Sequence, residues 1–488
     1  MLSLTRSVKN TFALMNKMLP DVLSLIPDCW EDRSRDEGLI KLTHICRSWR
    51  ENLVSRPSLW ARLDCTNVEK TKTYIERSKS SPLEIYLGRV NRVPYREQAF
   101  ILAIAHVDRL RSLSVSEDLP IRVLAKHFSC PAPLLRKLNI SLGLQRTPIL
   151  PDTLFNGDLS SLRELRLNGV ITPLPWRNLS NLTTFELRHV HQDKILLTQL
   201  LNFFKSTPHL RHIELHDSIP NVSNAPAKRV ISLPSLQELS ITAQPPHSTL
   251  LNHLSIPAGA SLRLEFTFSG REPPISSYLP ESLDNLNNIS YITTVNLNFG
   301  LDRRSMRLNG PSGDLYIIGN WIRGDEQPNA GTTRFLKSLG HFDTSRSQWL
   351  TVTSCHYHPK TPVTAWTLYQ ILRSMEDLRT LTLTRCNNLS FILTLNPDKN
   401  PDKTVLCPEL KEIVLHINDP DQFHIGELLS MAEGRASGNA KLSGITIVST
   451  NALAPRKEVF QLRKHVSRVD YKFDDVPPAW DALPVMQI

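Results

Sequence analysis

Along most of the chain one spacing of apolar residues recurs: an aliphatic position, then two more placed three and five residues later, with polar residues between them. Clear copies begin at Leu110 (LRSLSV), Leu135 (LRKLNI), Leu162 (LRELRL), Leu182 (LTTFEL), Leu210 (LRHIEL) and Leu236 (LQELSI). Further copies begin at Ile292 (ITTVNL), Leu378 (LRTLTL), Leu410 (LKEIVL) and Leu442 (LSGITI). Alternation within each copy is that of a strand with one buried face. Most neighbouring copies start 20 to 32 residues apart. Self-similarity at such a period predicts stacked units, because one strand cannot bury its apolar face alone and a row of them shares a core. Intervening segments such as YREQAFILAIAHVDRL, Tyr95 to Leu110, have helical character and form an expected second layer. Leu83, Ile85 and Leu87 predict a strand ahead of the first full copy. The pattern blurs between Ile292 and Leu378, where LYII from Leu315 and WLTV from Trp349 supply two further strands; RGDEQPNAG, Arg323 to Gly331, reads as a loop, and VSRVDYKF as the last strand.

The N-terminal region has a different rhythm. Leu39, Leu42, Cys46, Trp49 and Leu53 advance by alternating steps of three and four, which predicts one helix with an apolar stripe. Pro57 ends it, since a proline disfavours helical geometry at the preceding residue, and Trp60 is then free to fold back. Upstream, LPDVLSLI predicts a short helix with Pro20 in its first turn, Asp21 at its positive end, and Leu19, Val22, Leu23 and Ile26 as its apolar set. Pro27 predicts that this helix is shortened or kinked, and the charged run EDRSRDE is expected to link the two helices. So small a helical module buries little surface and leans on a partner or a neighbour.

The pieces Leu19-Pro20, THICRSWR and PSLW together resemble an F-box, the helical motif that docks a Skp-type adaptor of cullin-RING ubiquitin ligases. By that resemblance Leu19, Pro20, Val22, Leu23 and Ile26 lie at or near the adaptor face, while Leu42, Cys46, Trp49, Leu53 and Trp60 form the F-box core. The repeats resemble leucine-rich repeats, and the whole chain is similar to fungal F-box proteins that carry them. The expected fold is α/β: a leader over 1–18, an F-box over 19–64, an irregular leucine-rich-repeat solenoid over 65–474 with a parallel sheet on its concave face and helices on its convex face, and a tail over 475–488. The resemblance implies a substrate-recognition subunit of a Skp-cullin-F-box ligase, with the adaptor at one end and a protein target at the other. It also implies a cytoplasmic or nuclear location, and no cofactor.

In the repeats, residues two, four and six places after each leading leucine alternate away from the core and form a candidate binding strip. Four successive copies supply Glu164, Arg166 and Asn168, then Thr184, Glu186 and Arg188, then His212, Glu214 and His216, then Glu238, Ser240 and Thr242. The net charge of +10 would favour nucleic acid if it lay on this strip, but the strip mixes four glutamates with two arginines and two histidines. A protein or peptide of mixed charge is the better match.

Seven cysteines are scattered without a C-x-x-C pair, which suits neither a disulfide framework nor a zinc module and favours a reducing compartment. The apolar runs are shorter than the roughly 20 residues that span a bilayer, so no membrane partner is expected. The common phosphate cradles, the nucleophile elbow and the zinc-protease spacing are absent, and CHYHPK, Cys355 to Lys360, is the one local cluster of metal-capable side chains; as a strand it would split them between two faces. A non-catalytic binding protein without a metal site is the expectation.

Overall fold

The computed structural model describes residues 20–473 apart from 31, 89–95, 117–127, 143–148, 152, 172–177, 191–195, 219–228, 244–247, 269–278, 301–302, 322–334, 355–364, 385, 387, 401, 418–423 and 450–456. The chain divides into two compact units, Met1–Leu210 and Arg211–Ile488, and the expected boundary at 64/65 falls inside the first of them.

The first unit opens with helices α1 (Pro20–Leu25), α2 (Asp32–Thr43) and α3 (Arg47–Val54). A 3-10 turn over Ile26–Cys29 takes over from α1 just before Pro27, so α1 is short, as that proline predicts. Residues 32–37 of the run expected to be a linker instead fold as the start of α2. The single helix predicted from Leu39 to Leu53 is two helices. Thr43 Oγ1 donates back to the Ile40 carbonyl at 2.6 Å, Arg50 Nε donates to the Thr43 carbonyl at 2.8 Å, and Cys46 caps α3 by accepting from the Trp49 amide at 3.5 Å. These local bonds satisfy backbone groups that a break would otherwise orphan, so the apolar stripe survives an interruption of its helix.

Sheet begins immediately after the headpiece. Strands β1 (Arg62–Leu63), β2 (Leu83–Leu87), β3 (Leu110–Val115), β4 (Lys137–Ser141), β5 (Glu164–Asn168) and β6 (Thr184–Arg188) pair in parallel, in sequence order. Their register stacks Leu63, Ile85, Leu113, Leu138, Leu165 and Phe185 in one buried column. A second column holds Leu87, Val115, Ile140, Leu167 and Leu187. The three-and-five spacing of the sequence is therefore the spacing of these columns. Helices α4 (Val68–Ser78) and α5 (Arg96–Ile104) connect the early strands, and α6 (Leu197–Ser206) follows β6 with Leu200, Leu201, Phe203 and Phe204 buried.

The second unit contains β7 (His212–His216), β8 (Ile231–Ser232), β9 (Glu238–Ala243), β10 (Leu254–Ser255), β11 (Ser261–Phe268), β12 (Thr294–Phe299), β13 (Arg303–Gly310), β14 (Gly313–Trp321), β15 (Trp349–Ser354), β16 (Thr380–Thr384), β17 (Glu412–Ile417), β18 (Gly444–Ser449) and β19 (Arg468–Phe473). Strands β8 and β10 form a small pair of their own. The others run in the order β7, β9, β11, β14, β13, β12, β15, β16, β17, β18, β19. The late parallel strands alternate with α7 (Ala365–Arg373), α8 (Asn388–Leu395), α9 (Ile425–Ser437) and α10 (Lys457–Leu462).

An all-parallel sheet was expected, and here the structure differs: β13 is antiparallel to both β12 and β14. The cause is connection length. A parallel return needs a crossover of a dozen or more residues, whereas NGPSG leaves room only for a tight turn between β13 and β14. Gly313 holds that turn at φ +125, and a side chain there would strike the Ala260 carbonyl. Strands β11 and β13 also lie outside the predicted set. The loop reading of Arg323 to Gly331 lies outside the described residues, as do the leader and tail.

Candidate functional site

Two surfaces carry the residues singled out from the sequence. On the headpiece, Leu39, Leu42, Trp49, Leu53 and Trp60 are buried, and Cys46 is half-buried at its cap. Pro57 starts a 3-10 turn that returns Trp60 to α3, where its indole N–H donates to the Leu53 carbonyl at 3.0 Å. The ring meets Tyr74 edge-on at 5.0 Å between centroids, and the Arg77 guanidinium lies 4.3 Å from its centre. Trp60 thus pins the headpiece to α4.

Of the residues expected on the adaptor face, Leu19 lies outside the described residues and Pro20 begins α1. Val22 is 45% exposed and Ile26 is half-buried, but Leu23 is only 2% exposed: it faces inward and belongs to the headpiece core. Among the described side chains of α1, Leu23 is the one that faces inward. Leu25, 60% exposed, and Ile45, 51% exposed, present apolar surface that the sequence pattern did not single out. Ile45 lies in the break between α2 and α3, which the periodicity does not show.

The polar strip is positioned as the strand alternation predicts, with no member of the expected set buried. In the first unit, Glu186 lies between two arginines, with Arg188 Nε 2.6 Å and Arg166 Nε 3.6 Å from its carboxylate. Lys137 pairs with Glu164 at 2.8 Å, and Asn168 donates to the Ser141 hydroxyl at 3.1 Å. Thr184 sits beside Glu164 in the ladder. In the second unit His212 lies 3.5 Å from Glu238, and His216 lies 3.4 Å from Asp217. Glu214 sits opposite Ser240.

The same face continues onto β11, which the sequence reading passed over even though Leu262, Leu264 and Phe266 alternate clearly. There Glu265 accepts from Arg263 at 2.9 Å and from Asn320 at 2.8 Å. Burial pushes the Glu265 carboxyl up, but these two hydrogen bonds and the charges of Arg263 and Arg303 outweigh it and hold it below the usual range. The strip is thus a mosaic of paired charges. Carboxylates such as Glu186 and Glu265 are engaged by guanidinium groups, an arrangement suited to recognition through hydrogen bonds and charge pattern.

The sequence reading also passed over a row of arginines at the second position of the repeat, Arg111, Arg136 and Arg163, which line a cavity of about 230 Å³ with Glu84, Ser112, Lys137 and Glu164. The signal was present in the repeated Leu-Arg pair.

The metal-capable cluster from Cys355 to Lys360 lies outside the described residues. Among the described residues no helix is long and apolar enough to cross a membrane. In comparisons with known proteins, no family model matches the chain and no curated protein sequence matches it.

Proposed function

We propose that this chain is a substrate-recognition subunit of a Skp-cullin-F-box ubiquitin ligase, in which the helical headpiece is an F-box that docks the Skp adaptor and the strand repeats form a leucine-rich-repeat array that holds a protein target. One observation carries the reading: Val22, Leu25 and Ile45 are exposed on a headpiece whose own core is already closed by Leu23, Leu39, Trp49, Leu53 and Trp60. A small module with a filled core gains little from apolar side chains left in water unless a partner covers them. The in-phase aliphatic columns support the repeat-array part of the reading, and the mixed-charge strip supports a protein as the target. Ubiquitin transfer in this scheme is promoted by proximity: the adaptor end brings the cullin-RING ligase, the array brings acceptor lysines, and no reactive side chain is needed in this chain.

The test is binding of the full chain to a purified Skp-type adaptor by calorimetry. The expected result is a stoichiometric complex, weakened at least tenfold by Val22→Lys combined with Leu25→Lys while the circular dichroism spectrum is unchanged. Failure of the wild-type chain to bind the adaptor would overturn the reading and leave an interaction scaffold without ligase duty. Tight oligonucleotide binding that falls steeply with salt would favour nucleic acid instead.

A further inference from the structure

The arginine row differs from the charged strip in one respect. The strip arginines Arg166 and Arg188 both stand near the Glu186 carboxylate. By contrast, among the described residues no hydrogen bond or ion pair holds the side chains of Arg111, Arg136 and Arg163. These residues are neighbours by construction. The Arg136 amide donates to the Arg111 carbonyl and the Arg163 amide to the Arg136 carbonyl, each at 2.8 Å, so the three backbones sit on successive strands with the roughly 4.8 Å spacing of a sheet. Leu110, Leu135 and Leu162, one position earlier, are fully buried and fix each arginine at the start of its strand. Like charges side by side on adjacent strands repel, and nothing in the repeat requires arginine at this position, since Thr183 occupies it in the next copy.

The cavity's charge is also unbalanced. Lys137 and Glu164 neutralise one another at 2.8 Å, Glu84 offsets one arginine, and a charge of +2 remains over the lining residues. A carboxylate brings one negative charge and leaves half of that excess unmatched. A phosphoryl group has three acceptor oxygens and a charge of about −1.5 to −2 at neutral pH, which matches three guanidinium forks and the residual charge together. Ser112 adds a hydroxyl to the lining. The row spans only three strands and is flanked by the mixed-charge strip, so it is too short to track the backbone of a nucleic acid.

We infer that Arg111, Arg136 and Arg163, with Ser112, form a binding site for a dianionic phosphate monoester at the leading edge of strands β3 to β5. This site is independent of adaptor docking. The group is carried either by a small ester or by a phosphorylated side chain of a bound peptide, and the recognising chemistry is the same.

Isothermal calorimetry on the full chain tests it, with inorganic phosphate, free phosphoserine, and a phosphoserine peptide beside its unphosphorylated twin. Phosphate or phosphoserine should bind, the unphosphorylated peptide should bind at least tenfold more weakly than its phosphorylated form, and Arg136→Gln should cost at least tenfold. Arg136→Lys, which keeps the charge but loses the fork, should recover only part of the loss. Arg379→Gln, at the same repeat position in the second unit, should change nothing. Equal affinity for free phosphoserine and the phosphopeptide assigns a small ester, and tighter binding of the phosphopeptide assigns a peptide. The inference is overturned if no phosphate species binds, if binding is indifferent to Arg136→Gln in a folded variant, or if only an oligonucleotide binds.

Discussion

Trp60 shows how much one residue carries in the headpiece. Its indole closes α3 through the Leu53 carbonyl, and its ring packs between Tyr74 and Arg77 of α4. Trp60→Ala removes a side chain that is 1% exposed and is expected to cost about 3–5 kcal/mol of stability, read by denaturant unfolding. The cysteines separate by surroundings. Burial pushes the thiols of Cys65 and Cys407 up to about 12, whereas Cys29 and Cys130 are exposed. A thiolate is the reactive form, so brief alkylation of the native protein near pH 8, followed by mass spectrometry, should label Cys29 and Cys130 and spare Cys65 and Cys407 until the chain is unfolded. Arg435 is fully buried, yet it donates to the Leu406 and Cys407 carbonyls at 2.7 and 2.8 Å and so acts as a clamp on the backbone ahead of β17.

Among the elements, β11 and β14 are joined by a carboxylate, Glu265, that ties their stability to pH. The Glu265 carboxyl is held below its usual value in the folded state, so its contribution is fully present above the unfolded value of about 4.5 and is lost as pH falls through the lower folded value. Glu265→Gln should flatten the acid limb of stability against pH below about 4.5, measured as unfolding free energy from pH 3 to 6. An unchanged limb would show that the Arg263 and Asn320 contacts contribute nothing to stability. The elements also mark where local pattern stops being enough. Alternation locates β2, β3 and β5, while α2 and α3 share one unbroken stripe in the sequence and are separated by hydrogen bonds of Thr43, Arg50 and Cys46 that no periodicity encodes.

At the scale of the molecule, the headpiece is attached to the first unit's sheet by a charged clasp. Lys70 of α4 reaches Asp36 of α2 and Asp64 after β1, each at 2.6 Å. Burial lowers the Lys70 ammonium, but the two carboxylates outweigh it and hold its pKa up; burial raises Asp36 in turn. Lys70→Met leaves two half-buried carboxylates facing each other without a cation, which costs more than the pair contributed. Hydrogen exchange should quicken across α2 and α3 while amides of β3 to β6 keep their protection. If protection of the headpiece is unchanged, the clasp is not what holds it.

The sequence by itself determined the parts that rest on short-range spacing: the buried columns, the alternation that turns Glu164, Arg166, Glu186 and Arg188 in the first unit, and His212 and Glu238 in the second, away from the core of their strands, and the return of Trp60. Side-chain period is a property of a single strand or turn, so it can be read one segment at a time. Only the tertiary structure decided that Leu23 faces inward while Leu25 faces water, that β13 runs against its neighbours, and that three arginines separated by more than 20 residues stand in one row. Those outcomes depend on which segments become neighbours, and adjacency between distant segments is settled by packing and connection length acting on the whole chain.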